Sequence, residues 1–159
     1  MSSPDITDAE RRKVMEVLNT PILSMGSQTA SFEKAVADFI GVKHAIAVSS
    51  GTAGLHLCVR AAGIETGDLV ITTPVSFVAS TNVLLFERAI PVFVDVDAKT
   101  GNLDVDQLEK AAADLVQGGS AAKKWLPRTG AENHGPLKAI LAVDVFGQPA
   151  EYERILQVA

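Results

Sequence analysis

The chain has 159 residues, of which 47% are hydrophobic and 21% charged, with a net charge of -5 at pH 7. That apolar content suffices for about one folded domain and excludes a disordered chain. Lysines and arginines scattered through an acidic sequence argue against a nucleic-acid surface. The single cysteine, Cys58, can form no internal disulfide; inside an apolar helical pattern it reads as a small buried hydrophobe, in keeping with a reducing compartment. The start, Met1-Ser2-Ser3-Pro4-Asp5, lacks a basic segment leading into an apolar run, and no stretch reaches the roughly 18 uninterrupted apolar residues of a membrane span. The expectation is a cytoplasmic protein without a membrane partner.

In chain order, residues 8–18 read as a helix, because Thr7 and Glu10 have capping-box spacing and Val14, Val17 and Leu18 share one face. Residues 21–29 read as an irregular, Gly-containing segment. Phe32, Val36, Phe39 and Ile40 then recur at helical spacing, with Gly41 where a helix stops. Four apolar runs of strand length follow at 45–48, 69–72, 92–94 and 139–143, continuous rather than alternating, as in parallel strands covered on both faces. Helices are predicted between them at 52–62, ended by Gly63, at about 77–86, and at 104–116, where Asp104 and Gln107 again have capping-box-like spacing. Residues 117–135, rich in Gly, Lys and small residues, read as a long surface loop inserted before the fourth strand. Within it, Leu126-Pro127-Arg128-Thr129-Gly130 has the form of a cell-wall sorting signal, but a polar loop and a strand follow, and a Pro- and Gly-containing turn is the better reading. No repeat and no linker divides the chain, and the fold class is α/β.

The polar residues fall at strand ends. The run Ala45-Ile46-Ala47-Val48-Ser49-Ser50-Gly51-Thr52 passes from an apolar strand directly into a helix. The first helical N–H groups have no intrahelical partner and sit at the positive end of the helix dipole, so a phosphate fits there, or else the hydroxyls serve only as an ordinary helix cap. Thr72-Thr73-Pro74-Val75-Ser76-Phe77, Asp95-Val96-Asp97 and Asp144-Val145-Phe146-Gly147-Gln148-Pro149 each follow another strand, on the sheet edge where open α/β sheets bind ligands. For Asp144 two readings stand, a ligand-facing carboxylate or a turn cap. No Gly-x-Gly-x-x-Gly follows the first strand, Ser50 lies in no nucleophile elbow, and His44, His56 and His134 have no nucleophile partner. Packing or solvent contact accounts for His44 and His56, and no metal-ligand spacing occurs.

Three blocks resemble the DegT/DnrJ/EryC1/StrS sugar aminotransferases: Phe32-Glu33 through Val48-Ser49-Ser50-Gly51-Thr52-Ala53-Gly54-Leu55-His56-Leu57; Thr73-Pro74-Val75-Ser76-Phe77-Val78-Ala79-Ser80-Thr81-Asn82 with Ala89-Ile90-Pro91-Val92-Phe93-Val94-Asp95-Val96-Asp97; and Val143-Asp144-Val145-Phe146-Gly147-Gln148-Pro149-Ala150. The resemblance implies a three-layer α/β/α arrangement, part of the large domain of the aspartate-aminotransferase-like pyridoxal-phosphate fold type I. It implies pyridoxal 5'-phosphate as cofactor, with its phosphate on Gly51, Thr52 and Ala53 and its ring against Phe77. It further implies a homodimer that transfers an amino group from an amino acid such as glutamate to a nucleotide-linked keto sugar. Gly26, Ser27 and Gln28 correspond to the segment that approaches the sugar, although loop composition explains them as well. Where this chain has Asp144 the family often has His, and the 117–135 loop is longer than usual for it. The aspartate that pairs with the pyridine nitrogen and the Schiff-base lysine correspond to positions beyond Ala159, and none of the lysines present, Lys13, Lys34, Lys43, Lys99, Lys110, Lys123, Lys124 or Lys138, lies in the family's lysine motif. The reading is therefore of an N-terminal portion without a catalytic residue of its own. A sugar dehydratase of the same family, with His in place of the lysine, and a non-catalytic ligand-binding fragment are the alternatives.

Overall fold

The computed structural model describes residues 3–159, which divide into two units, the first ending at Ser49 and the second running from Ser50 to Ala159. In the first, α1 (Asp8–Leu18) begins with the expected capping box: Ala9 N donates to Thr7 Oγ1 at 3.2 Å and Thr7 N donates to Glu10 Oε2 at 2.7 Å. The Thr7 hydroxyl, followed by backbone N–H groups, holds the Glu10 carboxyl below the usual carboxylate range. Helix α2 (Ser27–Ile40) ends at Gly41, whose φ of +78° is left-handed and is tolerated there because glycine has no Cβ. It starts inside the stretch expected to be irregular, with Gly26 as an extended N-cap residue.

The expected strand at 45–48 does not form. A strand needs a ladder neighbour, and among the described residues none pairs with this segment. Ala47 N donates to the Glu33 carboxylate at 2.9 Å instead.

The second unit contains α3 (Gly51–Ala61), β1 (Leu69–Thr72), α4 (Ala79–Phe86), β2 (Ile90–Phe93), α5 (Val105–Gln117), α6 (Gly119–Lys123), β3 (Leu137–Ile140), a 3-10 turn (Val145–Gly147) and α7 (Tyr152–Val158). The three strands form a parallel sheet in the order β2-β1-β3, with Leu69 opposite both Ile90 and Leu137. Alternation along β1 divides the core. Leu69 and Ile71 join Val92, Val94 and the inner faces of α5 and α7, through Leu108, Ala111, Leu115 and Ile155, on one side of the sheet. Val70 meets Val59, Val83 and Leu84 of α3 and α4 on the other. Leu69, Val70 and Ile71 are fully buried, and each contributes roughly 1.5–3 kcal/mol by leaving water. Helices on both faces cover the sheet as the continuous apolar runs predict, and make the three-layer α/β/α arrangement that the resemblance implies.

Residues 117–135 are not simply a surface loop. They include α6, whose Ala122 is buried, and Trp125 and Leu126 pack on the larger core cluster. Trp125 Nε1 donates to Asp114 Oδ2 at 2.8 Å; hydrogen bonds from Lys124 and then Trp125 hold that carboxyl below its ordinary range. Ala122 and Trp125 lie three residues apart, one helical turn, and this short apolar anchor was masked by the surrounding Gly and Lys. Cys58 is exposed, contrary to expectation. It stands one residue from the buried Val59, about 100° round α3 and off the core-facing stripe.

Candidate functional site

Ser50 caps α3: its Oγ accepts from Ala53 N and its carbonyl from Gly54 N, both at 3.1 Å. The amide of Ala53 is thus already held, while those of Gly51 and Thr52 donate to no acceptor among the described residues. These two open N–H groups stand at the positive end of the helix dipole, two donors without an intramolecular acceptor. No heavy atom lies within 4 Å of a Cβ built on Gly51, so the fold itself places no steric demand for glycine there and the space is open to an approaching ligand.

Beyond β1 the chain turns over Pro74 and Val75. Val75 N donates to Thr73 Oγ1 at 3.3 Å, and Ser76 Oγ lies 3.0 Å from Phe77 O and 2.9 Å from Ser80 Oγ. Phe77 stands before α4 with 77% of its surface exposed. Helices α3 and α4 are tied together by His56 Nε2, 2.5 Å from Glu87 Oε1, and by the edge-to-face contact of His56 with Phe86, with centroids 5.3 Å apart. His56 therefore links the helix bearing the open amides to the helix that Phe77 introduces.

Beyond β3, Asp144 is a turn cap. Its Oδ1 accepts from Ala150 N and from the Tyr152 hydroxyl, both at 2.9 Å. That hydrogen bond raises the Tyr152 phenol pKa above its ordinary value. The same turn is held by Asn102, which is 4% exposed: its Oδ1 accepts from Val145 N at 2.9 Å, and its Nδ2 donates to Gln148 O at 2.8 Å and Pro149 O at 3.0 Å. Asn102 and Tyr152 were not singled out from the sequence. Lying 42 residues before and 8 after Asp144, they meet it only through the fold.

Val75, Ser76, Phe77, Val143, Asp144, Val145 and Phe146 line one cavity of about 380 Å³. Two strand-end clusters far apart in sequence, including Phe77 and Asp144, are thus brought together, while Gly51, Thr52 and Ala53 are not part of this lining. A larger cavity of about 460 Å³ beside β2 contains none of the expected site residues. The third cluster is spent locally: Asp97 Oδ1 accepts from Lys99 N and Thr100 N at 2.9 Å, and these bonds, Thr100 first, lower its pKa. Ser27 and Gln28 form the first turn of α2 in the N-terminal unit. Among the described residues no group of three or more metal-ligating side chains occurs, and no helix is long and apolar enough to cross a membrane.

Residues 4–159 match the DegT/DnrJ/EryC1/StrS aminotransferase family. The chain belongs to this family. It is 39% identical to GDP-perosamine synthase of Caulobacter vibrioides, over 100% of this chain and 38% of that protein. It is 34% identical to the UDP-4-amino-4,6-dideoxy-N-acetyl-beta-L-altrosamine transaminase of Helicobacter pylori, over 97% of this chain and 36% of the relative. Among solved structures, the aminotransferase from Psychrobacter cryohalolentis superimposes with a TM-score of 0.77 at 29% identity, covering 100% of this chain and 35% of its own. Helicobacter pylori PseC, an aminotransferase involved in the biosynthesis of pseudoaminic acid, gives 0.74 at 31% identity, covering 99% of this chain and 37% of its own. The chain therefore spans little more than a third of the length of these family members, and its fold is the corresponding part of the fold type I aminotransferase large domain.

Proposed function

We propose that this chain is the N-terminal part of a pyridoxal-phosphate-dependent aminotransferase that moves an amino group from an amino acid, glutamate in the simplest case, to a nucleotide-linked keto sugar, and that the whole protein works as a homodimer. The observation that carries the reading is the pair of open amides at Gly51 and Thr52 on a helix tied to the one that follows Phe77. Helix α3, which bears them, leads by a short connection into β1, so its N-terminus lies toward the edge where the strands end. The acceptor class is supported by the names of the relatives, which are a GDP-sugar synthase and a UDP-sugar transaminase.

When bound, pyridoxal phosphate supplies an electron-poor ring that carries the amino group and takes up negative charge from the substrate carbon. The amides of Gly51 and Thr52 hold its phosphate, and the Thr52 hydroxyl is placed to add a further hydrogen bond. The exposed face of Phe77 covers one side of a planar ring and keeps water from it. The Asp144 turn bounds the same cavity. The side chains of this lining bind and orient.

The test is retention of pyridoxal phosphate after desalting, read from its absorbance near the visible range. Thr52→Ala and Phe77→Ala are each expected to lower the retained fraction several-fold with unchanged far-ultraviolet circular dichroism. Retention equal to the parent in both variants overturns the site.

A further inference from the structure

Phe146 is the most anomalous side chain in the second unit. Its φ of +52° and ψ of 25° place a bulky aromatic in the left-handed region, where the Cβ crowds the backbone. Its side chain is nevertheless fully exposed, at 105% relative exposure. Within residues 3–159 no core contact offsets that strain.

The turn that imposes this conformation is over-determined. Gly147 N donates to Asp144 O and Gln148 N to Val145 O, both at 3.0 Å, within the turn itself. From outside it, Asn102 fixes Val145, Gln148 and Pro149 by the three hydrogen bonds already described, and Tyr152 and Ala150 hold the Asp144 carboxylate. Strained residues persist where the surroundings force them and cluster where ligands are held. Phe146 borders the same cavity as Phe77, Ser76 and Asp144, so an exposed aromatic face stands beside a hydroxyl and a carboxylate. A pyranose ring is matched by such a surface: its C–H face packs on an aromatic ring while its rim hydroxyls reach polar neighbours.

We infer that Phe146 is a substrate-contact residue whose ring, held out by the Asn102-anchored turn, receives the apolar face of the sugar in a nucleotide-linked acceptor. This rests on the function proposed above. It assigns a second aromatic surface to the cavity, separate from the one that Phe77 offers the cofactor ring.

Calorimetric titration of the protein with UDP-N-acetylglucosamine and GDP-mannose tests it, with Phe146→Gly and Phe146→Tyr as the variants. In Phe146→Gly the left-handed backbone is unstrained, so the thermal midpoint is expected to stay or rise. The dissociation constant for whichever sugar nucleotide the parent binds should increase about tenfold, the scale of one lost aromatic contact. Phe146→Tyr keeps the ring and restores binding, and retained pyridoxal phosphate is the same in all three proteins. Equal affinity in parent and Phe146→Gly overturns the inference, as does a parent that binds neither sugar nucleotide. A lowered thermal midpoint or a changed oligomeric state in Phe146→Gly also overturns it, because Phe146 is then a packing residue. Failure of the parent to retain pyridoxal phosphate is a different result and counts against the proposed function.

Discussion

The turns after β1 and after β3 border one cavity but are held by different means. Around Pro74 to Phe77 the bonds are local: Thr73 to Val75, Ser76 to Phe77 and Ser80. From Asp144 to Pro149 the turn is fixed from a distance, by Asn102 in the connection before α5 and by Tyr152 at the start of α7. A locally bonded turn keeps its shape as long as its own residues are present. A remotely bonded turn can hold a strained conformation such as that of Phe146, but only while the buried anchor is intact.

The largest way to break this contrast is Asn102→Ala. It leaves Val145 N and the Gln148 and Pro149 carbonyls without their buried partner, at an expected cost of roughly 3 kcal/mol in chemical denaturation. Amide exchange should speed up at 145–149 and stay unchanged at 74–78; equal loosening of both turns would show that they are one mechanical unit. Thr73→Val is smaller. Thr73 is 1% exposed, and losing its hydroxyl frees one bond to Val75 N, for about 1 kcal/mol, with faster exchange confined to the first turn.

Tyr152→Phe comes next, at about 0.5 kcal/mol because the hydroxyl is largely solvated. It also carries a pH signature. The phenol pKa is raised by the Asp144 hydrogen bond, so its contribution is complete below the unfolded value near 10 and is lost as pH climbs through the higher folded value. The parent should therefore lose stability above about pH 10, and Tyr152→Phe should lose less. The smallest effect belongs to Arg154→Gln. Arg154 joins α7 to Asp106 and Glu109 of α5 at 2.6 and 2.8 Å, but the group is solvated and screened. A midpoint shift visible at low salt and absent in about 0.5 M salt is the expected outcome.

Legibility followed the range of the interactions. Strand β1 occupies the predicted residues, and the caps at Thr7 and Asp104 have the predicted partners, with Gln107 N donating to Asp104 Oδ1 at 3.0 Å. Each depends on residues within one turn or on a continuous apolar run. The strand expected at 45–48 failed because a ladder needs a second strand, which a hydrophobic run does not specify. Trp125 falls in a segment that reads as a loop, because its partner Asp114 lies on α5, 11 residues back.

The same division runs through the candidate site. The Ser-Ser-Gly-Thr helix start and the exposed Phe after a strand were readable as residues, because capping and strand-end placement are local properties. By itself the sequence determined the α/β alternation, the apolar run that becomes β1, the Ser-Ser-Gly-Thr helix start and the family resemblance. Only the tertiary structure decided that Ala53 N is already held by Ser50, that Asp144 caps a turn, and that the turn anchored by the buried Asn102 brings Phe146 to the cavity that Phe77 also lines. Local order is written in adjacent side chains, whereas a cavity is a coincidence of distant ones, and the burial of an anchor such as Asn102 strengthens the hydrogen bonds that hold it.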